Sequence, residues 1–222
     1  MTDKYLQGLG EPPHFFGIMK PKPSEMTYWL YLPVLMPFES KSTRKVPVLP
    51  RNCEYLRGMI NFCVKDARLL LQSTLEDKYV YLTAKTMWVE PGSPGNRPGW
   101  HVDGFGSNGD LNYIWADKNP TEFAEQKFYR VSTDDKRSMK DMTDRVKPEN
   151  IAIYPNRSLL RLNERVVHRV GPVVETGVRT FIKITVSDHQ FRNAGNSHNH
   201  AFDYDWSMKP RGKERNLDHV HG

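Results

Sequence analysis

Residues 165–187 read RVVHRVGPVVETGVRTFIKITVS, and this stretch contains the pattern that decides the fold. β-Branched and aromatic residues fill its two ends, 166–170 and 179–187, and a Gly-Pro turn with a polar link separates them. Such a pattern predicts two β-strands joined by a turn. His168 lies in the first strand, and Arg179 opens the second. Burying an arginine in an apolar strand is costly unless an anion meets it, so Arg179 is a candidate for binding a carboxylate.

The same strand pattern recurs on the N-terminal side of this stretch. Further candidate strands occupy residues 79–89, 100–103, 111–116, 127–131, 151–154 and 158–162. Turns rich in glycine, proline and asparagine separate many of them. Many short strands of this kind predict a mainly β fold with flanking helices, namely a double-stranded β-helix of the jelly-roll or cupin-like barrel type.

The length of 222 residues suits one well-buried domain and is short for two. We therefore expect a single domain over 1–222. Its expected parts are a proline-rich wrapping segment at 1–50, a helix at 52–75 that backs the larger sheet, a barrel core at 78–187 and a polar C-terminal extension at 188–222. Asn52 is the predicted N-cap of the helix. The charged stretch 132–150 has almost no large apolar residues, and we expect a solvated insertion there.

Bulk composition narrows the class of protein. Hydrophobic residues make up 38% and charged residues 26% of the chain, and no apolar run approaches the roughly 18 residues of a membrane-spanning helix. The first residues have no signal-peptide pattern, so we expect a cytoplasmic protein. Cys53 and Cys63 lie ten positions apart on the predicted helix, about 15 Å at helical rise, so we expect two unbridged thiols. The net charge of +6 is spread along the chain and favours no nucleic-acid surface.

His101 and Asp103 form the second informative motif. Residues two apart on a strand project to the same face, so an imidazole and a carboxylate could reach one ion. Together with a second histidine from elsewhere, they would form the facial triad that binds non-haem iron(II). The tripeptide alone has little specificity, because a strand histidine bonded to a nearby carboxylate is the more common arrangement. His168, 65 residues after Asp103, supplies a second imidazole in a strand.

The segments GWHVDGF at 99–105 and VVHRVGPVVETGVRTF at 166–181 together resemble the signature of the Fe(II)/2-oxoglutarate-dependent dioxygenases. The resemblance covers residues from about 79 to 187. It implies that His101, Asp103 and His168 are iron ligands and that Arg179 binds the distal carboxylate of 2-oxoglutarate. It also implies the use of Fe(II), 2-oxoglutarate and O2, and hydroxylation of a substrate C–H bond with release of succinate and CO2.

A further residue in such enzymes helps to bind the cosubstrate. Asn112 and Tyr113 are candidates, but they project to opposite faces of one strand, so one of them is expected to serve. Phe181 shares a face with Arg179 and is expected to form a wall of the pocket. Tyr81 and Thr83 are further candidates on the first long strand. In the loop expected after residue 116, the polar residues are Asn119, Thr121 and Glu122, which would contact substrate or simply form a turn.

Two departures from related families bear on the substrate. Nucleic-acid dealkylases have a second arginine shortly after the first, where this chain has Lys183, and prolyl hydroxylases commonly use lysine in place of Arg179. These departures argue weakly against the substrates of both families. We expect a small-molecule or peptide substrate in preference to nucleic acid, and no membrane partner. Two other functions stay open: a cupin-like metalloenzyme that does not use 2-oxoglutarate, and a non-catalytic binding module on a jelly-roll scaffold.

Overall fold

The computed structural model describes residues 5–22, 26–37, 46–96, 98–103 and 109–210. The strands are β1 (Tyr5–Leu6), β2 (His14–Ile18), β3 (Tyr28–Leu35), β4 (Tyr79–Val89), β5 (Leu111–Ala116), β6 (Thr121–Ala124), β7 (Val131–Ser132), β8 (Ile151–Ile153), β9 (Ser158–Leu162), β10 (His168–Val170) and β11 (Gly177–Ser187). The larger sheet has the order β2-β9-β5-β11-β4-β3 and the smaller one β10-β6-β8, with all pairs antiparallel. β1 and β7 form a short separate ribbon.

β4 and β11 form the centre of the larger sheet and pair along their whole length, from Gly177 opposite Val89 to Ser187 opposite Tyr79. Because side chains alternate along a strand, β11 has two faces. Its helix face includes Ile182, Ile184 and Val186, which are buried in one apolar cluster with a helix. Its site face has Arg179, Phe181, Lys183 and Thr185.

That helix is α1 (Arg57–Leu71), which packs Ile60, Cys63 and Ala67 against the larger sheet, as expected for the backing helix. It begins later than the sequence suggests. Residues Arg51–Leu56 form a 3-10 helix, and Asn52 is not an N-cap. α1 ends at Leu71 and is capped by Gln72, whose left-handed backbone (φ 49°) stops the helix. Cys53 and Cys63 are both free and buried, which confirms the expected thiols.

The two sheets pack face to face around a second apolar cluster. Ile114 and Leu160 from the larger sheet meet Phe123 from the smaller one, and Leu162 and Val166 complete the cluster. The smaller sheet is extended beyond β10 by a single bridge between His101 and His168. Two facing antiparallel sheets backed by a helix make this the jelly-roll fold that the strand pattern predicted.

A second helix covers the outer side of the smaller sheet. α2 (Asp135–Thr143) begins at Asp134, whose carboxylate accepts from Arg137 N at 3.0 Å. Met142 is fully buried in an apolar cluster with Trp100 and Val167. Most of the stretch 132–150 is exposed, as a solvated insertion would be, but α2 docks on the cluster through the buried Met142 and the partly buried Val146 packs beside it.

Several segment predictions differ from the structure. β2 and β6 were not predicted, and the strand predicted at 100–103 is reduced to the bridge at His101. The C-terminal extension packs through aromatic residues, with Phe191 stacked on Tyr81 at 4.4 Å between ring centroids. Residues 211–222 of the expected extension lie outside the described residues. Among the helices of the described ranges, none has the length and hydropathy needed to cross a membrane.

Candidate metal centre

His101 and His168 face each other across the edge of the smaller sheet. Each backbone N–H donates to the carbonyl of the other residue at 2.9 Å, so the two form a hydrogen-bonded antiparallel pair. Residues directly opposite in such a pair project to the same face. The two imidazole centroids are accordingly 4.5 Å apart, although 67 positions (168 − 101) separate the residues in sequence.

Backbone carbonyls orient both rings. His101 Nδ1 lies 2.8 Å from Gly99 O, and His168 Nδ1 lies 3.0 Å from Val166 O. A carbonyl only accepts, so each Nδ1 carries a proton, and Nε2 is the nitrogen of each ring that could bind a metal. Gly99 has a φ of +85°, a backbone conformation that suits glycine. Burial lowers the pKa of His168 and keeps this imidazole neutral at neutral pH, despite the nearby Asp103.

Asp103 completes the cluster two residues after His101. Its Oδ2 lies 3.8 Å from His168 Nε2 and accepts a hydrogen bond from Lys183 Nζ at 2.7 Å. Burial alone would raise the pKa of Asp103, but the ammonium of Lys183 and the two histidines together outweigh this and hold the pKa well below its usual range. Asp103 is therefore a carboxylate at neutral pH.

One donor atom from each of His101, Asp103 and His168 lies within 4.8 Å of the other two. Two imidazoles and one carboxylate are the donor set of the facial triad that suits Fe(II). Carbonyls that bind the second nitrogen of each imidazole also fix the tautomer that a metal needs. The residues present therefore fit a divalent metal ion.

Arg179 is 1% exposed and lies on the site face of β11. Its Nε donates to Lys118 O at 3.0 Å, and Nη1 reaches Asn96 Oδ1 at 3.1 Å when that amide is turned to face it. Nη2 is buried and has no hydrogen-bond partner among the described residues. Burial lowers the pKa of Arg179 to about 10, so the guanidinium is still charged at neutral pH. A buried cation with an unused donor is a site for an anion.

The structure divides the two candidates on β5 between the faces of the sheet. Asn112 pairs with Thr185 and lies on the site side, where its Oδ1 accepts from Thr185 Oγ1 at 2.7 Å. Tyr113 pairs with Ile184 on the helix side, and its hydroxyl donates to Asp66 Oδ2 at 2.8 Å. The structure therefore does not bring Tyr113 to the histidines and Arg179.

Other candidates are used in different ways. Phe181 lies beside Arg179, whose Cζ is 5.3 Å from the ring centroid. The hydroxyl of Tyr81 donates to His189 O at 2.9 Å and accepts from Phe191 N at 3.1 Å, so the C-terminal extension occupies it. Thr83 accepts from Tyr31 N at 3.1 Å.

The polar residues of the expected substrate loop are structural. Asn119 has a left-handed backbone (φ 46°), and its Oδ1 accepts from the backbone N–H groups of Val174 and Glu175 at 3.0 Å each. Thr121 and Glu122 begin β6 instead of a loop, and Glu122 is buried and bonded to Arg169 at 2.7 Å. These contacts account for all three residues without a substrate.

Lys183 was not among the predicted site residues. The signal was present, because Lys183 follows Arg179 by four positions on an alternating strand and therefore shares its face. Interpreting Lys183 only as the replacement for an arginine of nucleic-acid dealkylases overlooked its own position beside the metal ligands.

Comparisons with known proteins give distant similarities. No family model and no curated protein matches the chain. Among solved structures, it is similar to EvdO2 from Micromonospora carbonacea var. aurantiaca, with 18% identity and a TM-score of 0.40 over 65% of this chain and 69% of that one. The 2-oxoglutarate complex of EvdO2 gives 17% and 0.39, over 64% and 68%. A full-length Neurospora crassa protein in complex with alpha-KG gives 9% and 0.33, over 67% and 50%. Similarities this distant assign no function.

Proposed function

We propose that the protein is a non-haem Fe(II)/2-oxoglutarate-dependent oxygenase that hydroxylates a C–H bond of a small molecule or peptide. The observation that carries the proposal is the combination of a metal-ligand triad with a buried, partly unpaired arginine inside one barrel. Either feature alone has an ordinary structural explanation. Asp117 favours the charged form of Arg179, but Nη2 has no hydrogen-bond partner among the described residues, and a buried guanidinium with an unused donor suits a carboxylate ligand.

In this proposal His101, Asp103 and His168 hold the iron, and Arg179 binds the distal carboxylate of 2-oxoglutarate. Phe181 lines the cosubstrate pocket beside Arg179, and the apolar cluster between the sheets excludes water from its base. Bound iron supplies the activation of O2. The balanced reaction converts a C–H bond, 2-oxoglutarate and O2 into an alcohol, succinate and CO2. The protein contributes geometry, charge and exclusion of water.

A cupin-like metalloenzyme that uses no 2-oxoglutarate is the alternative with the same barrel and metal. Such an enzyme has no carboxylate of 2-oxoglutarate for Arg179 to bind. Burying an arginine with an unsatisfied Nη2 costs stability, so the burial of Arg179 favours the enzyme that needs a carboxylate ligand.

The proposal is tested by incubating the protein with Fe(II), 2-oxoglutarate and O2 and measuring succinate. We expect slow succinate formation without added substrate, and a loss of 2-oxoglutarate affinity of about 10- to 100-fold in Arg179→Ala. Iron affinity is expected to survive in that variant. Val178→Ala, an adjacent exposed position on the same strand, is the matched control. If the wild-type protein loaded with metal binds no 2-oxoglutarate, the proposed function is wrong.

A further inference from the structure

Lys183 is a buried cation that the proposed mechanism has not used. Its side chain is 12% exposed and lies on the site face of β11. The ammonium donates to Asp103 Oδ2 at 2.7 Å and makes no other hydrogen bond to the described residues. An ammonium has three donors, so two of them are available to a ligand.

Lys183 and a metal ion would share one carboxylate. The Oδ2 atom that accepts from Lys183 is also the Asp103 oxygen that lies 3.8 Å from His168 Nε2. A divalent ion held by Asp103 and the histidines would neutralise the carboxylate that now pairs with Lys183. The ion and the ammonium are both positive, so they would repel each other. A buried ammonium that loses its counter-ion needs another anion.

The surroundings of Lys183 indicate what kind of anion fits. Tyr31 lies beneath the ammonium, with Nζ 5.8 Å from the ring centroid. Phe191 meets Tyr31 edge to face at 5.3 Å and stacks on Tyr81 at 4.4 Å. Tyr31, next to Lys183, therefore belongs to an aromatic cluster, and such a neighbour suits an acid whose carboxylate is attached to an apolar or aromatic group.

We propose that Lys183 binds a ligand carboxylate beside the metal, so that the site has a second carboxylate-binding cation besides Arg179. The inference rests on the proposed function for the presence of the metal. The carboxylate has two potential sources: the end of 2-oxoglutarate that adjoins its keto group, or an acidic primary substrate. The competing explanation is that Lys183 is a positioning residue that holds Asp103 for the metal and touches no ligand.

The test uses Co(II) under anaerobic conditions in place of iron, so that binding is measured without turnover. Lys183→Met removes the charge and keeps an unbranched chain. Lys78→Met is the matched control, because Lys78 is also ion-paired, with Asp188, and is similarly shielded at 18% exposure. Lys183→Arg, which keeps the charge, is expected to retain most of the carboxylate affinity. If Lys183→Met does not fold with cobalt, Lys183→Gln, which can still donate a neutral hydrogen bond to Asp103, replaces it in the same titrations.

Two titrations at saturating cobalt distinguish the sources. The first adds 2-oxoglutarate, and the second adds benzoate to the protein loaded with cobalt and 2-oxoglutarate. We expect Lys183→Met to bind Co(II) at least as tightly as the wild type, because a repelling charge is gone, and to bind the carboxylate about 10- to 100-fold more weakly. A loss in the first titration identifies 2-oxoglutarate as the source, and a loss confined to the second identifies an acidic substrate.

Weaker cobalt binding with both carboxylate affinities unchanged would show that Lys183 only positions Asp103, and would overturn the inference. Unchanged affinities in both titrations with unchanged cobalt binding would overturn it as well. The proposed function fails separately: a cobalt-loaded wild type that binds no 2-oxoglutarate refutes it, whereas benzoate binding that depends on Lys183 would still support the inference.

Discussion

On the helix face of β11, Ile182 and Ile184 are fully buried against α1; on the site face, Arg179 is 1% exposed and Lys183 is also largely shielded. The two faces belong to the same eleven residues and are buried to a similar degree, yet their contributions to stability have opposite signs. Burying isoleucine stabilises the fold, whereas burying a guanidinium with an unused donor opposes it. Burial by itself therefore does not distinguish a residue that stabilises the fold from one that binds a ligand.

The largest effect is expected on the helix face. Ile182→Ala should lower the free energy of unfolding by about 2–5 kcal/mol, because it leaves a cavity between β11 and α1. Chemical denaturation of the metal-free protein measures it. Val178→Ala is the control, because Val178 projects to the same side of β11 as Ile182 but is 45% exposed. It should change stability by less than about 0.5 kcal/mol. Equal effects of the two variants would contradict the packing described for this face.

The metal ligands should respond in the opposite way, with a large loss of binding and a small loss of stability. His168→Ala should weaken Co(II) binding by more than about 100-fold, because changes to outer-shell residues alone cost about 10- to 100-fold. Isothermal titration calorimetry measures the affinity. His198→Ala, at an exposed histidine, is the control. Metal binding that survives in His168→Ala but not in His198→Ala would move the metal site to the C-terminal extension.

Arg179→Met sharpens the comparison directly, because it makes the site face resemble the helix face. We expect the free energy of unfolding of the ligand-free protein to stay the same or to rise by about 1 kcal/mol, since the variant removes an unsatisfied buried donor. The affinity for 2-oxoglutarate should fall together with this gain. A clear loss of stability would indicate instead that Arg179 is a structural residue, held by Lys118 and Asn96 for the fold itself.

The smallest effect separates the two neighbours on β5. Tyr113→Phe removes the hydrogen bond to Asp66 and should cost about 1 kcal/mol of stability without changing 2-oxoglutarate affinity. Tyr28→Phe, at a 62% exposed tyrosine, is the control for loss of a hydroxyl group. If Tyr113→Phe weakened 2-oxoglutarate binding and left stability unchanged, the side chain would have to face the barrel and not α1.

Parts of the fold that depend on local pattern were predictable from the sequence. β4, β5 and β9 begin and end at the predicted residues, because their alternating β-branched and aromatic residues are bounded by turns. Segments stabilised by distant partners were missed. β6 contains Glu122, which is buried and paired with Arg169 from β10, and the residues around Glu122 in the sequence do not indicate this distant partner. The start of α1 was misplaced because Arg51–Leu56 forms a 3-10 turn after Pro50.

The site divides in the same way. Sequence by itself determined that Arg179, Phe181 and Lys183 share one face and that Asn112 and Tyr113 do not, because side chains alternate along any strand. It also identified three residues with the chemistry of metal ligands, which the structure brings within 4.8 Å. Tertiary structure decided which face of β11 meets α1, that His101 lies opposite His168, and that Lys183 reaches Asp103. The alternation of side chains along a strand is a property of the chain itself. Which residues pair between strands, and which face of a strand meets α1, depend on packing between segments far apart in sequence.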